Sequence, residues 1–270
     1  MKFVAQHYKV VSLAEATKRL AQGGPPEPVV AITFDDGYQD NYAHAFPILE
    51  RYSLPATIFL TTGSVDSRER PWFEQLSLAT KRTTQPFIDL EIDLPRRLPL
   101  RTEEERLAAK NLIIALVREL PDRERRRWIT DVMARLGTGT DTEDTMLTWD
   151  QIRLMKQRRI DFGGHTVTHP FVSRLAPEEA VREVSECKRR IEEELQAEVE
   201  HFAYPNGREG DFEPWNKRVL QEAGYRAAVS TLWGVNYPST DLMELRRGQP
   251  WEENTAAFAA KLDWYQLTDI

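Results

Sequence analysis

The stretch Val29 to Phe34 constrains this chain more than any other. It is a short apolar run rich in β-branched residues, and Asp35-Asp36-Gly37 follows it without a gap. Such a run reads as a buried strand, and the glycine lets the chain turn. A buried strand that ends in two carboxylates delivers both to one point at the carboxyl end of a sheet. That is where α/β folds gather their functional groups. Adjacent carboxylates repel, and both stay ionised cheaply only beside a cation. A solvated Asp-Asp-Gly turn would carry the same letters, so this stretch alone favours chemistry only modestly.

A second stretch narrows the reading. Ile160 to Gly164 is another strand-like run, and it opens onto His165-Thr166-Val167-Thr168-His169-Pro170. The chain has 5 histidines, and two of them stand here, four positions apart. That spacing puts both imidazoles on one face of a helical turn, within reach of one metal ion. Zinc accepts imidazole and carboxylate ligands together, and catalytic sites keep a position open for water.

Thr33-Phe34-Asp35-Asp36-Gly37, followed later by His165-Thr166 and His169-Pro170, resembles the polysaccharide deacetylase family, the NodB-homology domain of carbohydrate esterase family 4. The order of the motifs matches, and Phe202-Ala203-Tyr204-Pro205-Asn206-Gly207 stands where the third family motif is expected. The similarity runs from about Val29 to Pro250, interrupted by one long insertion. The resemblance implies an α/β fold, a distorted seven-stranded (β/α) barrel. It implies Asp36, His165 and His169 as metal ligands and Asp35 as the general base for the water that attacks an acetyl carbonyl. A backbone N–H near Asn206 would serve as a second donor to the oxyanion. Zinc is the default cofactor, and cobalt or nickel suits the same ligands. The implied partner is an acetylated oligo- or polysaccharide, and the products are acetate and a free amine or hydroxyl.

Two departures from the family pattern stand out. Ala203 occupies the place of an arginine that braces the catalytic aspartate, so Arg247, or its neighbour Arg246, is expected to brace Asp35 from a late strand. The family's late histidine, its general acid, is absent, because no histidine follows His201. That absence resembles the branch of the family that acts on bacterial exopolysaccharides.

The whole chain sets further bounds. Its 270 residues suit one large domain, with residues 64–147 read as a helical insertion, a lid, substrate wall or packing element. A net charge of −7 argues against a general nucleic-acid binder. Cys187 is the single cysteine and falls on the apolar stripe of a helix, so it reads as a core residue. There is no segment apolar enough to span a membrane and no signal-peptide region at Met1 to His7, so the chain as given reads as cytoplasmic. The oligomeric state leaves no mark on the sequence.

Smaller expectations complete the reading. Gly163 and Gly164 let the backbone approach the site, and Tyr204 is either a wall of the acetyl pocket or an ordinary strand-end aromatic. Trp72, Trp233 and Trp251 are candidates for stacking on sugar, although tryptophans more often pack in cores. His201 is structural. The run Arg123 to Arg127 is a solvated helix face, with contact to an acidic polymer as the minority reading. Two rival functions fit the same letters: a catalytically weak or inactive glycan-binding module that keeps the metal for structure, and a hydrolase of a non-sugar C–N bond. The intact Asp35-Asp36 pair argues against both.

Overall fold

A computed structural model describes residues 1–24, 27–92, 94–138, 144–249, 252 and 254–267. The chain enters through helix α1 (Lys2–His7) and strand β1 (Lys9–Val10), and helix α2 (Leu13–Ala21) follows. Ser12 caps α2, its hydroxyl accepting from the Glu15 amide at 3.2 Å. The run Val29 to Phe34 then divides at Ala31 into β2 (Val29–Val30) and β3 (Ile32–Phe34). One apolar segment thus feeds two sheets: β2 pairs with β1, and β3 pairs with β4 (Ala56–Leu60) after helix α3 (Phe46–Arg51).

Between β4 and the next core strand lie α4 (Thr62–Ser67), α5 (Trp72–Arg82), β5 (Phe87–Ile92), β6 (Leu94–Pro99), α6 (Glu103–Arg118), α7 (Asp122–Leu136) and α8 (Trp149–Lys156). Strand β7 (Ile160–Gly164), helix α9 (Pro177–Leu195), strand β8 (His201–Ala203), helix α10 (Pro214–Glu222), strand β9 (Ala227–Val229) and helix α11 (Thr255–Leu267) complete the order. Thr102 and Thr148 open α6 and α8 with capping boxes closed by Glu105 and Gln151.

The central sheet is parallel throughout and runs β3-β4-β7-β8-β9. Its spatial order never reverses, which is barrel-type winding and leaves no switch point of the doubly wound kind. The expected count of seven strands is corrected: the sheet has 5 strands among the described residues. The sixth position is held only by Leu245, which makes a single parallel bridge to Val229. Beyond it the Arg247 amide donates to Leu232 O at 2.9 Å, and the Arg246 amide donates to Asn236 Oδ1 at 2.8 Å. Strands β1 and β2 form a separate pair.

Hydrophobic packing falls into distinct clusters. The sheet core joins Ile58, Leu60, Phe162, Phe202 and Tyr225 to the α9 stripe Ala180, Val184, Cys187 and Ile191, as the helical periodicity predicts. The insertion has its own core of Leu76, Ile88, Leu90, Leu100, Ile113, Val132 and Leu136. Its proline-rich patch is not irregular, because Phe87–Ile92 and Leu94–Pro99 form an antiparallel hairpin. Ile88 and Leu90 point into the core while Asp89 between them is exposed, a two-residue alternation that marks a half-buried strand.

Candidate active site

Every element of the site leaves the carboxyl edge of the parallel sheet. Asp35 and Asp36 follow β3, His165 follows β7, Asn206 lies just past β8, and Ser230 follows β9. The exit loops are tied to one another: the His165 amide donates to Leu60 O at 2.9 Å, the Thr62 amide to Thr166 O at 3.2 Å, and the Gly63 amide to Val167 O at 2.9 Å. Gly37 is required in its turn, because its φ is +83° and a Cβ there would stand 2.8 Å from a Leu60 methyl.

Asp36, His165 and His169 converge. The Nε2 atoms of His165 and His169 lie 3.5 and 3.4 Å from Asp36 Oδ1. One ligand atom from each residue falls within 4.8 Å of the others, a spacing that can hold a metal ion. The four-residue spacing predicts a helical turn; the backbone there is instead an irregular loop whose Thr166 and His169 have φ of +67° and +56°. Asp36, at +70°, is in the same left-handed region. Non-glycine residues rarely adopt it, and its concentration here stores strain at the site.

Hydrogen bonding prepares the cluster for a cation. His165 Nδ1–H donates to Ala203 O at 2.7 Å, so in the neutral ring Nε2 is the bare nitrogen and faces Asp36. Asp36 Oδ1 is buried and has no hydrogen-bond partner among the described residues. His169 Nδ1 is likewise buried without a partner among the described residues, and a buried acceptor facing the bare His165 nitrogen is short of a positive charge. Burial above all pushes Asp36 up to about 6, against His165, which lowers it; Asp35 and Glu74 add to the rise and a Tyr38 hydrogen bond opposes it. Burial likewise pushes His169 down to about 4 and lowers His165. Neutral imidazoles beside a carboxylate that resists ionisation form a donor set that fits a divalent metal.

Asp35 has a different partner. Arg247 clasps it with both terminal nitrogens, Nη1 to Oδ1 at 2.8 Å and Nη2 to Oδ2 at 2.7 Å. Arg247 is itself fixed by Nε to Ser230 O at 2.7 Å and by Nη1 to Thr33 Oγ1 at 3.2 Å. Burial would raise the Asp35 carboxyl, but the Arg247 charge and hydrogen bonds outweigh it and hold the group at about 2. Arg246 bonds through its backbone, its carbonyl accepting from Asn236 Nδ2 at 2.9 Å, and Asp35 pairs with Arg247.

Asn206 has φ of +61°, and its Nδ2 is buried without a hydrogen-bond partner among the described residues. Its carbonyl accepts from Thr231 Oγ1 at 2.6 Å. Tyr204 is no pocket wall: it is 1% exposed, stacks on Phe212 at 4.1 Å and donates to Met243 O at 2.9 Å. Nor do Gly163 and Gly164 admit a ligand. A Cβ at Gly163 would meet the Phe59 ring at 2.5 Å, and one at Gly164 would strike the Tyr225 hydroxyl, so both are small for packing. Thr166 makes a local turn bond, its hydroxyl accepting from the His169 amide at 3.0 Å. His201 is buried against Thr17 at 3.2 Å, a structural placement. Trp233 is 37% exposed, and Trp251 lies outside the described residues.

Two residues that shape the site, Glu183 and Tyr38, are not expected from the sequence, and Trp72 is expected only as a candidate for stacking on sugar. Glu183, buried on α9, accepts from the Val167 and Thr168 amides at 2.8 and 2.9 Å and from Thr168 Oγ1 at 2.7 Å, latching the histidine loop. The signal was present, since Glu183 sits between Ala180 and Val184 on an otherwise apolar stripe. Trp72 donates from its indole to His169 O at 2.9 Å, so it braces the loop from the insertion. Burial raises the Tyr38 hydroxyl, and the Asp36 and Glu74 carboxylates near it add to the rise.

Comparison with known proteins agrees with this geometry. The polysaccharide deacetylase family profile matches residues 22–228. The YxkH protein of Bacillus subtilis is 39% identical over 85 residues, 31% of this chain and 29% of that one. A poly-β-1,6-N-acetyl-D-glucosamine N-deacetylase of Staphylococcus epidermidis is 38% identical over 78 residues, 29% of this chain and 26% of that one. The matching stretches therefore span less than a third of these relatives. Among solved structures, the Streptococcus pyogenes deacetylase PplD in complex with acetate superposes with a TM-score of 0.60 at 20% identity, over 91% of this chain and 76% of that one. IcaB from Ammonifex degensii superposes with a TM-score of 0.59 at 19% identity, over 98% and 88%. At those identities the likeness speaks for the fold. With the family profile covering most of its length, the chain belongs to the polysaccharide deacetylase family.

Proposed function

We propose that this protein is a metal-dependent deacetylase that removes acetyl groups from an N-acetylated glycan of the poly-N-acetylglucosamine type. One observation carries the reading: Asp36, His165 and His169 meet at a point where a buried carboxylate oxygen lacks a partner, and an ionised Asp35 lies next in the chain. Asp36, His165 and His169 would hold the ion, zinc by default and cobalt or nickel by the same ligand chemistry, and when bound it supplies Lewis acidity toward the acetyl carbonyl and acidifies water.

The chain's own residues do the rest. Asp35, ionised at neutral pH, accepts the proton of the attacking water as the new C–O bond forms. Protonated Asp35 is a strong acid in its Arg247 clasp, so passing that proton to the departing amine as the C–N bond breaks is downhill. This supplies a proton in a chain without a late histidine. Arg247 fixes both the charge and the aim of Asp35. A backbone N–H near Asn206 would be the second donor to the oxyanion, and the unpartnered buried side-chain amide of Asn206 offers another. Glu183 and Trp72 hold the histidine loop still. The substrate class follows from similarity to the Staphylococcus epidermidis and Escherichia coli N-deacetylases. A non-catalytic glycan-binding module would have no use for the Asp35–Arg247 pair.

The test is acetate release from β-1,6- and β-1,4-linked N-acetylglucosamine oligomers, before and after chelation and after metal is returned. Release that disappears with the metal and returns with it is the expected result. Release that survives chelation, or its absence on every glycan with metal bound, overturns the proposal.

A further inference from the structure

A cavity of about 590 Å³ opens between helices α5 and α7, against the histidine loop. Arg70, Arg82, Arg125 and Arg126 line it together with Trp72 and Thr168, and Glu69 is the single acid among its lining residues. Its volume is that of an ordinary small-ligand site, about 300–1,000 Å³. In the arginine run of α7, Arg123, Arg126 and Arg127 are exposed, as expected of a solvated face, and Arg125 departs from it. Arg125 is 2% exposed, among the largest fully buried side chains described.

Arg125 is incompletely satisfied. Its Nη2 pairs with Asp122, and its guanidinium lies 4.8 Å from the centre of the Trp72 ring. Its Nε and Nη1 are buried and without a hydrogen-bond partner among the described residues. Buried guanidinium N–H groups are rarely left unpaired, and their preferred complement is the fork of a carboxylate or phosphate. Arg126 is held beside it by Asp122 Oδ2 at 2.5 Å, and it reaches Thr168 Oγ1 at 3.0 Å. The cavity is lined by neighbours of the Asp36–His165–His169 cluster and by none of the three themselves: Thr168 precedes His169, and Trp72 donates to the His169 carbonyl.

We infer that this cavity binds an oxyanion substituent, carboxylate or phosphate, on the sugar next to the N-acetyl group being removed. The inference rests on the deacetylase reading and changes its glycan: poly-N-acetylglucosamine is neutral, whereas this substrate carries an anion on the neighbouring sugar, recognised through Arg125 and its neighbouring arginines.

Titration calorimetry of the metal-loaded full chain tests it, with glucuronate and inorganic phosphate as separate probes, on the wild type, Arg125→Gln and Ala134→Trp. Ala134 is an exposed lining residue, so a tryptophan there fills the cavity from its rim and decides the matter if Arg125→Gln does not fold. Saturable binding of at least one anion, weakened about tenfold or more in the folded variants, is expected, and the better probe identifies the source. A parallel assay compares kcat/KM on an N-acetylglucosamine–glucuronate tetrasaccharide with that on a neutral N-acetylglucosamine tetramer. The wild type is expected to prefer the anionic chain and the variants to lose the preference. No anion binding, or binding equal in wild type and variants, overturns the inference. Arg125-dependent anion binding without acetate release from any glycan upholds the cavity and removes the deacetylase reading. Acetate release without variant-sensitive anion binding does the reverse.

Discussion

The carboxyl edge of the parallel sheet and the insertion between β4 and β7 are built by different rules. At the edge, Asp36, Thr166, His169 and Asn206 all sit at positive φ, and the loops are tied by cross-strand amides. In the insertion, helices follow local rules: Thr102 and Glu105 cap α6, Gly137 ends α7 at φ of +65°, and a separate apolar core holds the set together. The first region places chemical groups against their conformational preference, which only a rigid sheet beneath them can sustain. The second is regular in backbone but carries its irregularity in charge, with Arg125 buried inside it. Strain marks where the chemistry is proposed, and an incompletely paired guanidinium marks where selectivity is expected.

The largest expected effect falls at the edge. Asp35→Asn keeps the shape and removes the base, so acetate release should drop by about 10²–10⁴-fold while metal content, read by elemental analysis, stays as in the wild type. Loss of metal in this variant would merge two roles that the geometry keeps apart. The insertion should answer to packing instead. Ile113 is fully buried in its core, and Ile113→Ala should lower unfolding free energy by about 2–5 kcal/mol in urea titrations. If the two regions are as separate as their cores, metal affinity should change little in that variant.

A third test concerns pH and belongs to the sheet. Burial above all holds His201 at about 4, with Asp161 raising it and Arg226 lowering it, against an ordinary 6.5. A depressed histidine takes up its proton on unfolding, so stability is level above pH 6.5 and falls as pH drops toward 4. From this group the loss totals roughly 3 kcal/mol. His201→Gln should flatten that part of the stability–pH curve, and an unchanged slope would place its origin elsewhere. The smallest effect tests the seam between the regions. Glu183→Gln weakens the latch on the Val167 and Thr168 amides and should cost about 10–100-fold in metal affinity. An affinity equal to wild type would mean that the loop holds its shape without α9.

How much was legible beforehand differs between the same two regions. The strand Ile160–Gly164 and the apolar stripe that carries Cys187 follow from period and are where the letters place them, while the run Val29 to Phe34 divides at Ala31. The hairpin Phe87–Pro99 was hidden by its prolines, although its alternation was readable. Tyr204, Gly163 and Gly164 were given functional readings that packing overrules, because only a neighbour such as Phe59, Phe212 or Tyr225 says what space a side chain has. Glu183 and Trp72 act on residues far off in the chain, a relation that no local pattern encodes.

The sequence by itself determined the chemical inventory: two acids after a buried strand, two histidines after another, an acidic chain with no late histidine. Those follow from residue type and short spacing. Tertiary structure alone decided which groups meet. It set Asp36 between the two imidazoles, gave Asp35 to Arg247 in preference to Arg246, and buried Arg125 in a helix whose letters read as solvated. The physical reason is that charge pairing and desolvation depend on distance through space, which the chain acquires only when parallel strands bring their ends to one edge.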